Sequence, residues 1–126
     1  MSAPIYLYTG PEAGERKEAV EKIKKTLRKD FGDLEEYNFY ASETSVNEFM
    51  SVLQNESLFS SATCVVVKNA EVIKKKEDIE TIVNWVSSVN TQSSVLILTS
   101  DSVSIDTKIE KAVPTQNKKI FWEMFE

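Results

Sequence analysis

The stretch IYLYTGPEAGER, residues 5–16, decides the fold class of this chain. Its first four residues, Ile5 to Tyr8, are aromatic, β-branched or leucine, and they predict a strand. Gly10 then predicts a turn, and Glu12 and Glu15 are typical of the first turn of a helix. A strand that passes through a glycine turn into a helix is the opening unit of α/β proteins with a parallel sheet.

The rest of the chain continues the same alternation. Further strands are predicted at residues 37–40, 63–67, 95–98 and 120–122. Helices are predicted over residues 12–31, from residue 45 onward, and over residues 77–89 and 106–112. The inward positions of these helices are predicted to be Ala19, Val20, Ile23, Leu27 and Phe31; Val46, Phe49, Met50 and Leu53; and Ile79, Ile82, Val83 and Val86. We therefore expect an α/β fold with a mostly parallel sheet of about five strands and helices on both faces.

Two capping signals support these helices. Ser45 with Glu48 three residues later predicts a capping box, and Asp106 predicts a second N-cap. Apolar and polar residues alternate more in the run at residues 37–40 than in those at 63–67 and 95–98. The strand at 37–40 is therefore expected nearer an edge of the sheet.

Length and composition limit the classes of function. The 126 residues suit one domain, and 15 basic against 20 acidic residues give a net charge of −5, which is unlike a standalone nucleic-acid binder. The chain has no histidine, so the common Ser-His and Cys-His catalytic pairs are excluded. Cys64 is the single cysteine and is expected to be a core residue. No apolar run approaches the ~20 residues of a membrane span, and an intracellular protein is expected.

The turn at Gly10 stands where phosphate-binding loops occur, but its residues do not suit a phosphate. The pattern G-x-x-x-x-G-K-[ST] requires a second glycine, a lysine and a hydroxyl residue. Counted from Gly10, those positions hold Glu15, Arg16 and Lys17, and Glu12 and Gly14 lie between. The carboxylates would repel a triphosphate, so we expect this degenerate loop to hold no nucleotide.

A magnesium-dependent ATPase also needs an acidic residue at the end of a neighbouring strand. Lys68 and Asn69 follow the third predicted strand, and Glu71 could be only a displaced substitute. Two parts of an ATP site are therefore missing together. The sequence predicts no catalytic residue, no metal ligand and no cofactor.

Leu58 and Phe59 lie between polar or small residues after the second predicted helix, within the segment from Gln54 to Ser61. Two interpretations are open. The pair either turns under the loop into the core, or it forms an exposed apolar anchor for another protein.

The order of elements and several strings resemble the N-terminal domain of the delta subunit of bacterial DNA polymerase III, the clamp-loader wrench. The strings are residues 5–12, Ser57-Leu58-Phe59 before a strand, residues 65–71, and Phe121-Trp122-Glu123. The resemblance spans nearly the whole chain. It implies a RecA-like, P-loop-NTPase-like core of the AAA+ type that has lost ATP binding. It also implies that residues 1–126 are one domain of a longer protein, whose helical lid and collar domains are absent here.

The resemblance further implies a function and partners. In the family, a Leu-Phe pair enters a hydrophobic pocket of the sliding clamp, the beta subunit, and helps to open its ring for DNA replication. By position, the clamp-binding residues here are Ser57, Leu58 and Phe59, with Gln54 and Asn55 as flanking contacts. The gamma or tau and delta prime subunits are expected partners, mainly through the absent C-terminal domain. DNA contact is expected to be indirect, no membrane is expected, and the location is the cytoplasm, at the replisome on the nucleoid.

Two other functions are considered. A small nucleotide-binding transferase or NTPase could use the same type of sheet, and saturable micromolar binding of ATP with magnesium would favour it. A receiver-like signalling domain would need clustered aspartates at strand ends, where this chain has Tyr8-Thr9 and Val67-Lys68. By the resemblance this domain itself is non-catalytic, although the holoenzyme that the family serves is a DNA-directed DNA polymerase.

Overall fold

Five parallel strands form a single sheet in the computed structural model, which describes residues 4–54, 61–89 and 93–122. The strands are β1 (Ile5–Thr9), β2 (Leu34–Tyr40), β3 (Ala62–Lys68), β4 (Ser94–Ser100) and β5 (Lys118–Ile120). The helices are α1 (Ala13–Phe31), α2 (Val46–Gln54), α3 (Lys76–Ser88) and α4 (Thr107–Ala112), with short 3-10 helices at Ala70–Val72 and Thr115–Asn117. The expected α/β class with a mostly parallel sheet is confirmed.

The strand order across the sheet is β2-β3-β4-β1-β5. The first strand pairs with β4 on one side, where Leu7 lies opposite Leu98, and with β5 on the other, where Thr9 lies opposite Ile120. The runs in β3 and β4 are almost continuously apolar because helices cover both of their faces. Strand β2 alternates between half-buried and exposed positions and forms one edge, as its sequence predicts.

The two faces of the sheet are covered unequally. Of the described helices, α1 alone packs on one face, where Val20 and Leu27 contact a layer formed by Cys64, Val66, Val95 and Ile97. Helices α2, α3 and α4 pack on the other face, over the larger apolar cluster that contains Val65, Val67, Leu96 and Leu98. The connection after β1 therefore leaves toward one face, and the connections after β2, β3 and β4 leave toward the other.

Local sequence signals set where the helices begin and end. The Glu48 N–H donates to Ser45 Oγ at 3.2 Å, which is one half of the predicted capping box. Asp106 caps α4 by accepting from the N–H groups of Lys108 and Ile109. Helix α1 ends at Gly32, whose φ of 89° and N–H bond to Arg28 O are typical of a glycine helix stop.

Four details of the sequence-based expectation are wrong. The last strand is Lys118–Ile120, two residues earlier than predicted, because its partner β1 ends at Thr9 and the chain then turns at Gly10. Phe31, predicted to face inward, is 37% exposed at the last position of α1, next to the Gly32 cap. Lys24 and Trp85 are buried although neither was expected inside. Each error concerns either the end of an element or the burial of a side chain, and both depend on contacts with neighbouring elements.

Cys64 is buried in β3, as expected, and burial raises the pKa of its thiol to about 12. At neutral pH the sulfur is protonated and packs as a small apolar group. Among the described helices, none combines the length and the apolar character needed to cross a bilayer.

Candidate functional site

The carboxyl ends of β1 and β4 form the place where this type of fold usually binds ligands. The two strands are neighbours, but α1 leaves β1 toward one face and the chain after β4 leaves toward the other. Ligands in open parallel sheets bind in the crevice at such a switch point. Here the crevice lies between the turn at Gly10 and residues Ser100 and Asp101, and we call it the switch crevice.

Gly10 is required by the tight turn at this crevice. Its φ is 107°, a region that only glycine enters readily. A Cβ atom at this position would also lie 2.3 Å from the backbone oxygen of Phe121. The sequence predicts the turn correctly, but the close approach of the chain after β5 is visible only in the structure.

The N–H groups of the Gly10 turn are used within the protein. Gly10 N–H donates to Ser100 O at 3.0 Å, and Glu12 N–H donates to Phe121 O at 3.1 Å. Gly14 N–H donates to Glu12 Oε1 at 3.0 Å, which makes Glu12 the N-cap of α1. A phosphate-binding loop instead points such donors at its ligand. These three N–H groups therefore already have hydrogen-bond acceptors within the protein.

The side chain of Arg16 lies in the switch crevice. Its Nη1 donates to Gly10 O and, at 3.0 Å, to Ser100 O, and its Nη2 is paired with Asp101 Oδ1 at 2.5 Å. The guanidinium thus bridges the ends of β1 and β4, and the Arg16 side chain is only 14% exposed. At the position where a phosphate-binding loop carries its lysine, this chain has a cation that binds the protein's own carbonyl groups.

Glu71 reaches the same end of the sheet. Its Oε1 accepts a hydrogen bond of 2.6 Å from Ser100 Oγ, so the carboxylate is held beside the end of β4. Asn69 precedes it with a φ of 61° and donates through Nδ2 to Ser42 Oγ at 3.4 Å. In the described residues, no group of three or more Asp, Glu, Cys or His side chains is arranged to hold a metal ion.

A cavity of about 330 Å³ opens beside the switch crevice, between α1 and the carboxyl ends of β2, β3 and β4. We call it the α1–β2 cleft. Val66 and Asn38 lie on its sheet side, and Arg16, Lys17 and Lys24 line its helix side. The Lys24 side chain is 8% exposed, and its Nζ lies 3.2 Å from Glu21 Oε2 and 3.1 Å from Glu36 Oε1.

Ionisation in this region follows from burial and ion pairing. Burial alone would lower the pKa of Lys24, but its hydrogen bonds to Glu36 and Glu21, together with their charges, raise it overall. Burial would raise the pKa of Glu36, whereas its bonds from Lys24 and Arg28 and their charges lower it overall. Lys24 and Glu36 are therefore both charged at neutral pH.

The predicted clamp-binding residues are mostly not described. Asn55, Ser57, Leu58 and Phe59 lie outside the described residues, so their role stays a prediction. Gln54 is the exposed last residue of α2. Val46, Phe49, Met50 and Leu53, the predicted inner positions of α2, are all buried, which confirms the orientation of the helix that precedes the Leu-Phe pair.

Sequence reasoning missed Ser100 and Asp101, which supply the oxygen atoms that bind Arg16. The sequence did indicate their place, because both residues come within three positions after the apolar run at 95–98. Neighbouring strands bring their carboxyl ends to one edge, but the order β4-β1 had to be known before these residues could be matched with Gly10.

Comparisons with known proteins agree with this architecture. The model of the family described as DNA polymerase III, delta subunit matches residues 6–121. Among solved structures, the chain is similar to the Bacillus subtilis DNA clamp loader delta protein (YqeN), with a TM-score of 0.72 and 21% sequence identity. The similarity covers 98% of this chain and 39% of that one, so this chain spans well under half of that protein's length. No curated protein sequence matches the chain.

Proposed function

Because the chain belongs to the DNA polymerase III delta subunit family, we propose that it acts as the clamp-binding domain of a clamp loader. In this role it binds a sliding clamp and favours an open ring during DNA replication. The observation that carries the proposal is the family match over residues 6–121. The proposed setting is the cytoplasmic replisome, with the clamp and the other loader subunits as partners and with DNA contacted only through the assembled complex.

The proposed action is mechanical and does not use ATP bound to this domain. Three N–H groups of the Gly10 turn are bonded within the protein, and Arg16 occupies the switch crevice. A domain that binds an open clamp more tightly than a closed one shifts the ring toward the open form by that difference in affinity. ATP hydrolysis is assigned to other subunits of the loader.

The proposed contact is formed by Ser57, Leu58 and Phe59, with Gln54 and Asn55 beside them. Helix α2 supports this surface because its apolar positions are buried against the sheet, which leaves Asn47, Ser51 and Gln54 exposed along one stripe. This exposed polar stripe ends at Gln54, four positions before Leu58 in the sequence, and polar groups of this kind suit the rim of a protein interface.

The energies show how much the pair can contribute. Burying Leu58 and Phe59 in a pocket is worth about 3–6 kcal/mol in total. Micromolar binding requires about 8 kcal/mol net of association costs. The two residues therefore dominate the contact without accounting for all of it, and the exposed stripe of α2 supplies further area.

The double variant Leu58→Ala with Phe59→Ala tests this contact. We expect its affinity for the sliding clamp of the same organism to fall by about 100-fold or more, with unchanged cooperative unfolding. Surface plasmon resonance against immobilised clamp measures the affinity, and circular dichroism measures the fold.

The matched control is Val72→Ala with Val103→Ala. Both valines are exposed, at 46% and 43%, and both lie at the carboxyl edge of the sheet, whereas residues 58 and 59 precede the amino end of β3. We expect the control to bind the clamp like the parent. Undiminished binding by the Leu58 and Phe59 variant would refute the contact, and its unfolding would show that the pair belongs to the core.

A titration with ATP and magnesium tests the nucleotide part of the proposal. We expect no magnesium-dependent binding in the micromolar range, because the donors of the Gly10 turn are already bonded. Saturable micromolar binding that requires magnesium would instead favour the nucleotide-using transferase or NTPase.

A further inference from the structure

The α1–β2 cleft has a charge opposite to that of the whole chain. Its lining includes four basic side chains, those of Arg16, Lys17, Lys24 and Lys68, and two acidic ones, those of Glu21 and Asp101. The net charge of this lining is thus +2, in a chain whose net charge is −5. A concave surface with this local sign concentrates anions from solution.

Two of the four cations are neutralised by neighbours and two are not. Arg16 is paired with Asp101, and Lys24 is paired with Glu21 and Glu36. The ion pairs of the described ranges do not include Lys17 or Lys68. Lys68 Nζ lies 5.5 Å from the centre of the Tyr40 ring, a cation–π contact that places its charge without neutralising it.

The remaining groups of the cleft suit a polar molecule larger than a single ion. Asn38 and Asn69 bring carboxamide groups to the cleft, and Tyr40 brings an aromatic ring that is 45% exposed. Lys24 Nζ uses two of its three donors for Glu21 and Glu36, and its side chain is more than nine-tenths buried.

We propose that the α1–β2 cleft binds a small phosphate monoester, such as a nucleoside monophosphate, whose phosphate is held by Lys17 and Lys68. A phosphate monoester carries close to two negative charges at neutral pH, which matches the two unpaired ammonium groups. The cavity of about 330 Å³ lies at the lower end of the range for small-molecule sites. The carboxamides and the Tyr40 ring are placed to contact the rest of the molecule.

This site differs from a phosphate-binding loop. It shares Arg16, Ser100 and Asp101 with the switch crevice, but its proposed phosphate contacts are side-chain ammonium groups and not backbone N–H groups. A divalent metal is not required, because the cations of the cleft already neutralise the ligand. The proposal does not depend on the proposed clamp contact, because it uses none of residues 54–59.

Titration with deoxyadenosine monophosphate, followed by NMR chemical shifts of the chain, tests the proposal. We expect saturable binding that is unchanged by removal of magnesium, and at least tenfold weaker binding of deoxyadenosine, which lacks the phosphate. Lys17→Ala and Lys68→Ala should each weaken binding by roughly tenfold. Both residues are exposed, so neither change should alter the fold.

The control is Lys29→Ala, which removes the same charge from the last turn of α1, outside the lining of the cleft. We expect this variant to bind like the parent. If all three lysine variants lose the same affinity, general charge attraction and not this site explains the binding. If deoxyadenosine binds as tightly as its monophosphate, the phosphate assignment is wrong. Tighter binding of single-stranded oligodeoxythymidylate through the same two lysines would overturn the small-molecule assignment in favour of a nucleic acid backbone.

Discussion

Gly10 and Gly32 both have positive φ angles, of 107° and 89°, but their surroundings differ. A Cβ on Gly10 would lie 2.3 Å from Phe121 O, whereas a Cβ on Gly32 would have no atom within 4 Å. The first glycine is therefore required by both backbone conformation and space, and the second by conformation alone.

This pair of glycines gives a matched comparison of stability. We expect Gly10→Ala to lower the free energy of unfolding by about 2–4 kcal/mol, and Gly32→Ala by about 1 kcal/mol, because only the first adds a clash to the backbone strain. Urea denaturation measures both values. If the two variants lose the same stability, the close approach of Phe121 to the turn is not a constraint on the fold.

Helix α1 and strand β2 are joined by an ion-pair network near the sheet edge. Lys24 contacts Glu36 at 3.1 Å, and Arg28 contacts the other oxygen of the same carboxylate. The pKa of Glu36 is lowered on folding, so its stabilisation is present above the ordinary value of 4.5 and is lost as the pH falls below it. The pKa of Lys24 is raised, so its part is lost only as the pH rises above 10.5.

The loss of stability at acidic pH through Glu36 can be tested directly. We expect Glu36→Gln to lower the free energy of unfolding by about 1 kcal/mol at pH 7, because the carboxylate is one-third exposed and solvent screens its charge. As the pH falls below 4.5, the difference between the variant and the parent should shrink. Urea denaturation at several pH values measures the difference.

Glu18→Gln is the matched control, since Glu18 is exposed on the same helix and is absent from the ion pairs of the described residues. A difference between Glu36→Gln and the parent that does not change from pH 7 to pH 3 would contradict the assigned role of this ion pair.

The central strands of the sheet should resist local opening most strongly. Strands β3 and β4 are paired on both sides and covered on both faces, whereas β5 has three residues and one neighbour. Local opening is easiest where few contacts must be broken.

Amide hydrogen exchange measured by NMR should follow this order. We expect the slowest exchange in β3 and β4, at residues such as Val65 and Leu96, and exchange at least tenfold faster in β5. Protection of β5 equal to that of β3 would mean that the sheet opens only as one unit.

The fold could be predicted where the residues of a single segment determine its structure. The four inner positions of α2 and the cap at Ser45 follow from spacing alone, and all are confirmed. The last strand was misplaced because its limits depend on where β1 ends. Lys24 is paired with Glu21 of its own helix and with Glu36 of β2, and no pattern within α1 reveals the second partner.

The candidate site was predictable only in part. The unsuitable residues of the Gly10 turn could be read directly, but two partners of Arg16, Ser100 and Asp101, lie at and just after the end of β4, more than eighty positions away in the chain. The pairing of distant strand ends is a property of topology. The clamp contact rests on Leu58 and Phe59, which belong to a segment outside the described residues.

Phe121 links the two ends of the described chain through its own peptide groups. Its N–H donates to Thr9 O at 2.7 Å, and its carbonyl accepts from Glu12 N–H at 3.1 Å. Its ring also packs edge-on against Tyr8, with 5.5 Å between the ring centres. A twist or pull applied to the backbone at Trp122 therefore acts, one residue away, on the turn that separates β1 from α1. Because Arg16 Nη1 donates to Gly10 O in the same turn, a displacement of that turn also reaches the guanidinium of Arg16.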